Sequence, residues 1–260
     1  MTVCVKNIHG RLPVSELVLS RALISLAITR YCLYKQNISP WGFNRKLLLI
    51  RGLLGTSALF FIFKAIDLLP LASATIIQYT YPAFTSLAAW IFLKEKLNKS
   101  IILSLLMGWF GIVFIAQPSW LLNDGVSLEI QALLIALCGA IFTALAYICV
   151  RKLSKTEHPL VIIHYFPLLS LPITIPLVIN KGVIPIGIEW LWLIGIGVFT
   201  QIGQIGITKG LSLLPAAKAS SINYTQVLFA TIWGIIIFAE PINKYIAIGG
   251  LFIFASTVIS

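Results

Sequence analysis

Charge is scarce in this chain. Aspartate, glutamate, lysine and arginine make up 10% of its 260 residues, where a soluble domain carries about 25%. With so little polar material the chain cannot cover a water-facing surface, and a soluble fold is excluded. Acids are scarcer still, eight against 19 lysines and arginines. No two of them fall inside an apolar run at a spacing that would hold a metal or activate water, and His9, His158 and His164 are scattered. A membrane enzyme built on paired carboxylates or a histidine cluster therefore has no residues to work with. Neither a metal nor a cofactor is expected, and the chain does not read as an enzyme. Cys4, Cys32, Cys138 and Cys149 show no metal-ligand spacing and read as small hydrophobes in apolar segments. Residues 1–13 are too few and too polar to hold the apolar centre of a cleavable signal.

What is abundant is apolar: 59% of residues are hydrophobic and the mean hydropathy is +0.98. Hydrophobic segments fall at about 14–34, 46–66, 71–93, 100–118, 126–150, 159–180, 188–208, 216–238 and 244–260. Each is long enough, or nearly so, for a helix to cross a hydrocarbon core of about 30 Å. Barrel-type alternation is absent, and backbone groups in lipid must bond within their own segment. The fold class is therefore all-α integral membrane with about nine transmembrane helices. The net charge of +11 reads as a topology signal rather than as a nucleic-acid surface, because the cations sit between apolar runs. Alternate loops divide them twelve to five, with Arg30, Lys35, Arg45, Lys46, Lys94, Lys96, Lys99, Arg151, Lys152, Lys155, Lys209 and Lys218 in one set. That set places the 35–46, 94–99, 151–158 and 209–215 loops in the cytoplasm.

The chain also repeats itself at a shift of 145 residues, with the run from Lys64 to Thr80 lining up with Lys209 to Thr225. Phe84 then meets Phe229, Glu95 meets Glu240, and Asn98-Lys99 meets Asn243-Lys244, so that roughly 15 of about 52 positions are identical. Lys64 and Lys209 fall on opposite sides in the charge-derived topology, so the halves, 1–123 and 124–260, are inverted relative to each other. Inverted repeats are the build of many secondary transporters, where they supply one conformation open to each side. A solute permease is accordingly preferred, with an integral membrane enzyme or a membrane scaffold as the alternatives.

The motifs resemble those of the drug/metabolite transporter superfamily, specifically its ten-helix EamA-type permeases. One copy reads Ala72-Ser73-Ala74, Tyr81-Pro82 and Leu93-Lys94-Glu95-Lys96-Leu97; the other reads Ala217-Lys218-Ala219-Ser220 and Phe238-Ala239-Glu240-Pro241. Arg21 and Arg51-Gly52 match arginines of that family. The resemblance implies two five-helix repeats and the transport of a small organic metabolite by alternating access, export more than uptake, in the bacterial inner membrane. Its partners would be that solute and the bilayer, with no nucleic acid and with a homodimer left open. Two departures stand out. Val227 occupies the place of the second copy's proline, so the 216–238 helix is expected to lack a kink. The first repeat shows four helices against five in the second, and the shift expects the missing one upstream of Met1.

Polar side chains inside the spans are few, and each is a candidate for contact with solute. On 71–93, Gln78 shares a face with Pro82 and Thr85, flanked by Tyr79 and Tyr81; on 216–238, Asn223 and Gln226 share a face beside Tyr224. Gln201, Gln204 and Thr208 make a stripe on 188–208, and Thr143 and Tyr147 a shorter one on 126–150. The expected substrate-binding set is thus Gln78, Tyr79, Tyr81, Asn223, Tyr224, Gln226, Gln201, Gln204, Tyr147 and Arg21. Interhelical hydrogen bonding is the competing role for each amide and hydroxyl. Arg51, six residues into its helix, is expected to snorkel to the surface, and Trp41, Trp120, Trp190 and Trp192 to anchor at the interfaces. Because every acid lies in a loop or near a helix end, coupling to protons through a central carboxylate is not expected.

Overall fold

The computed structural model describes residues 4, 8, 11–69, 71–116, 130–238 and 244–259, and all regular structure among them is helical. The helices are α1 (Val14–Lys35), α2 (Arg45–Leu68), α3 (Leu71–Gln78), α4 (Tyr81–Leu93), α5 (Lys99–Ala116) and α6 (Ile130–Leu153), followed by α7 (Pro159–Lys181), α8 (Glu189–Leu213), α9 (Ala216–Ile222), α10 (Thr225–Phe238) and α11 (Lys244–Ile259). They fill the nine apolar segments, because a chain in lipid has no other way to satisfy its amides. Trp120, Asp124, Glu129, Glu240 and Lys6 lie outside the described residues.

The repeat reappears in the helix boundaries. α1 and α7, α3 and α9, and α5 and α11 begin 145 residues apart, while α2 and α8, and α4 and α10, begin 144 apart. Even the approach to α2 and α8 is shared. Gly42 and Gly187, one shift apart, both take the left-handed backbone, with φ of 62° and 54°, a conformation that glycine adopts without steric cost.

Two segments expected as single helices are each broken in two. In the first copy Pro82, the second residue of α4, has no N–H to give to the Gln78 carbonyl, and the chain turns at Tyr79-Thr80. The second copy breaks at the equivalent Asn223-Tyr224 although Val227 stands where proline would be. Its missing kink was an expectation that the structure overturns. Here hydroxyls do the work of proline: Ser220, Ser221 and Thr225 bond the carbonyls three residues back at 2.8–2.9 Å. The amides of Asn223 and Tyr224 shorten to i→i−3 bonds onto Ser220 and Ser221, a tightening that such side-chain competition favours.

The chain forms two compact units, and each draws on both sequence halves: residues 1–56 with 149–213, and residues 57–148 with 214–260. In the first unit, a Cβ added to Gly52 would lie 2.6 Å from Leu169 Cδ1, and one added to Gly197 would lie 2.5 Å from Ile24 Cβ. These two contacts are images of each other under the 145-residue shift, so α2 crosses α7 as α8 crosses α1. In the second unit α5 and α11 run antiparallel along each other. Ser104 and Ser256 exchange hydroxyl-to-carbonyl bonds of 2.8 and 2.7 Å, and the image of that pair is the close approach of Gly249 and Gly111. Each unit thus carries its own pseudo-twofold axis.

Loop contacts fit alternating crossings. In the first unit Glu157 accepts from the backbone amides of Phe43 and Asn44 at 2.8 and 2.5 Å. Arg151 donates to the Leu211 and Ser212 carbonyls at 3.0 and 2.9 Å. That cation at the C-terminus of α8 explains why the helix runs past the expected end at 208 to Leu213. At the other ends of these helices Arg11 pairs with Glu189 at 2.8 Å, and Glu16 accepts from the Val183 amide. In the second unit Glu95 accepts from the Ala216 amide at 2.8 Å.

Candidate functional site

The second unit gathers most of the expected residues at its two helix breaks. Tyr79 and Tyr224, each at its break, meet with ring centroids 6.3 Å apart. They are repeat images of each other, so the pseudo-twofold axis of this unit passes between them. Tyr224 is fully buried, and its hydroxyl lies 3.4 Å from the Tyr79 carbonyl. Tyr81 stands 6.1 Å from Tyr79 and packs edge-on against Tyr147 at 5.5 Å, an arrangement aromatic quadrupoles favour. Gln78 donates to the Thr143 hydroxyl at 3.3 Å, tying the first break to α6. The Tyr81 hydroxyl and the Asn223 amide lie close to each other in the interior, and among the described residues neither completes a hydrogen bond of ordinary geometry. In a dry interior an incomplete polar group costs about 1–3 kcal/mol. Gln226 stands apart from this cluster, on an exposed face of α10.

Gln201, Gln204 and Arg21 belong to the first unit. Gln201 is 1% exposed and fully used, donating to the Thr29 hydroxyl at 2.8 Å and accepting from Ser25; it is interhelical glue between α8 and α1. Gln204, nearly one turn on, accepts from Arg51 at 3.4 Å. Thr208, the last residue of that stripe, is buried with its hydroxyl unpartnered among the described residues. The guanidinium carbon of Arg21 lies 5.1 Å from the centre of the Phe166 ring, and that of Arg51 lies 5.4 Å from the same ring. The snorkelling expected of Arg51 from its depth is overturned: the residue is buried, 4% exposed. Its reach is set by Phe166 on α7 and Gln204 on α8, neighbours that a walk along α2 does not reveal. Phe166 had no signal of its own as an apolar residue, although it is the repeat image of Arg21. Of the described tryptophans, Trp41 and Trp190 are half-exposed as interface anchors should be, whereas Trp192 packs against the Cys4, Ile8 and Leu193 cluster.

Among the described residues no group of histidine, cysteine or acid could hold a metal ion. The arrangement offers aromatic faces, amides and hydroxyls at the breaks, and two guanidinium groups in the other unit.

Comparison with known proteins agrees in kind. The sequence profile of the EamA-like transporter family matches residues 1–117 and 130–260. The pseudopaline exporter CntI of Pseudomonas aeruginosa is 28% identical, with 99% of this chain and 89% of that protein covered. Human solute carrier family 35 member G1 is 31% identical over 98% of this chain and 72% of its own length. A solved structure superposes with a TM-score of 0.87 at 18% identity, covering 99% of this chain and 90% of the other; at that identity the likeness concerns the fold alone.

Proposed function

The chain belongs to the EamA-like transporter family and is an integral membrane transporter, and from that premise we propose that its solute binds at the paired helix breaks. The observation that carries this reading is the interruption of two helices at repeat-equivalent residues, with Tyr79 and Tyr224 in contact across the axis. Discontinuous helices near the bilayer midplane are where secondary transporters hold their cargo, since unwound backbone is tolerated only where it is buried or lines a cavity. The incomplete Tyr81 and Asn223 groups are what a small polar metabolite would complete on binding. The cycle is alternating access between two near-equivalent conformations of the inverted repeats. Its direction is export, in keeping with the name of the exporter at 28% identity, and its place is the bacterial inner membrane.

The test compares metabolites released into the medium by cells carrying the gene and by cells carrying an empty vector. Tyr79→Ala and Tyr224→Ala should each abolish the difference while the protein remains in the membrane at normal level and monodisperse after extraction. Release at the wild-type rate from both variants would sink the site.

A further inference from the structure

We propose that a groove lined by Phe43, Asn44, Arg45, Lys46 and Thr156, in the first unit, binds the headgroup of one anionic phospholipid from the surrounding bilayer. The site is separate from the one proposed for the solute and does not depend on it.

The groove has a volume of about 530 Å³, and all five lining residues are exposed. Its shape is held from beneath. The Tyr165 hydroxyl donates to the Trp41 carbonyl at 2.8 Å, and Glu157 accepts from the Phe43 and Asn44 amides. A Cβ added to Gly42 would lie 2.6 Å from Glu157 Oε2 and 2.7 Å from Leu48 Cδ1, so the loop rests directly on both. Glu157 is thus buried under the loop, while Arg45 and Lys46, the first two residues of α2, stand exposed. Residues 35–46, 151–158 and 209–213, which meet at this end of the unit, hold seven lysines and arginines, and their one acid is Glu157. The exposed charge at the groove is therefore positive, the complement of an anionic headgroup.

Charge alone would suit any phosphate, and the apolar residues fix the source. Phe43 is 91% exposed and Trp41 half-exposed, and such rings sit favourably at the level of lipid headgroups. Leu49, Ile50 and Leu53 follow Lys46 at three, four and seven residues, which puts them on one face of α2. All three are exposed, so an apolar track leads from the two cations along the helix. A phosphodiester held between Arg45 and Lys46 would leave its acyl chains to lie on that track, whereas free phosphate would make no use of it. The guanidinium fork suits two phosphate oxygens at once. Asn44, whose Oδ1 accepts from the Leu47 amide at 3.2 Å, leaves its amide nitrogen for a further headgroup oxygen.

The experiment titrates the purified full-length protein in detergent with dioleoyl phosphatidylglycerol or dioleoyl phosphatidylcholine and reads the lipid retained by native mass spectrometry. The two lipids share acyl chains and differ in net headgroup charge. The first phosphatidylglycerol should bind about tenfold or more tighter than the first phosphatidylcholine, the scale of two headgroup cations. Arg45→Gln with Lys46→Gln should abolish that preference. Either replacement alone should lose part of it, and stays informative if the double variant fails to fold. Lys152→Gln with Lys209→Gln removes the same charge from the same end of the unit and should leave the preference intact. Equal binding of the two lipids, or an unchanged preference without Arg45 and Lys46, overturns the proposal. An equal loss in the Lys152 and Lys209 control also overturns it, because the effect is then diffuse charge. So does displacement of phosphatidylglycerol by glycerol 3-phosphate at a comparable concentration, because the groove then takes free phosphate.

Discussion

Gly108 on α5 tests the packing that fixes the second helix break. A methyl added there would stand 2.9 Å from the Ser256 hydroxyl and closer still to the Cδ2 and Cε2 atoms of Tyr224, where carbon atoms ordinarily rest about 3.5–4.0 Å apart. Tyr224 is fully buried and packs with Ile76, Ile112, Val227 and Ile253, so its ring has nowhere to go. Overpacking of this kind costs about 1–3 kcal/mol, and the severity of the overlap puts it at the upper end. Against this, alanine is favoured over glycine in a helix by about 1 kcal/mol. The net loss for Gly108→Ala is then about 2 kcal/mol, which for a chain of this size lowers the unfolding midpoint by about 4–8 °C. The assay is a thermal melt of the purified protein in detergent, run in three backgrounds. The loss should persist with Tyr224→Phe, which keeps the ring, and vanish with Tyr224→Ala, which removes it. A Gly108→Ala protein as stable as the wild type, or one that loses as much in the Tyr224→Ala background, would refute the reasoning.

Glu157→Gln should release the Phe43 and Asn44 amides from their shared carboxylate, costing about 1–3 kcal/mol; unchanged melting and unchanged proteolysis at residues 41–44 would show that the contact is idle. Lys96→Cys should resist an impermeant thiol reagent added outside intact cells, since the charge bias puts its loop in the cytoplasm, and rapid labelling there would reverse the orientation. An imposed pH gradient should not drive uphill accumulation of solute in vesicles, because the described acids Glu16, Asp67, Glu95, Glu157 and Glu189 sit in loops or within the first or last turn of a helix and not at mid-depth; accumulation that follows the gradient would contradict this.

The helical segments were legible because a bilayer leaves the chain so little choice. Nine apolar runs predict nine crossings, and the described boundaries of α1, α7 and the two broken helices fall within one residue of them. The first break was legible in Pro82. The second was not, because its signal is a cluster of ordinary hydroxyls, Ser220, Ser221 and Thr225, and such residues sit in unbroken membrane helices as well. What distinguishes them is that all three bond the carbonyl three residues back on either side of a buried tyrosine, and this is a property of packing.

The site was half legible, and the repeat explains which half. A pseudo-twofold axis brings each on-axis residue against its own image, so a shift of 145 names contacts as well as similarities. Tyr79 and Tyr224 are identical, and the alignment picks them out. Arg21 and Phe166 are just as surely images, yet an arginine aligned with a phenylalanine looks like a mismatch and is passed over. The same holds for Pro82 and Val227. Such mismatches carry physical weight. Perfectly identical halves would make the inward- and outward-open states equal in energy, and any bias between them must come from positions where the copies differ. The Arg21 guanidinium over the ring of its own image, Phe166, is one such difference.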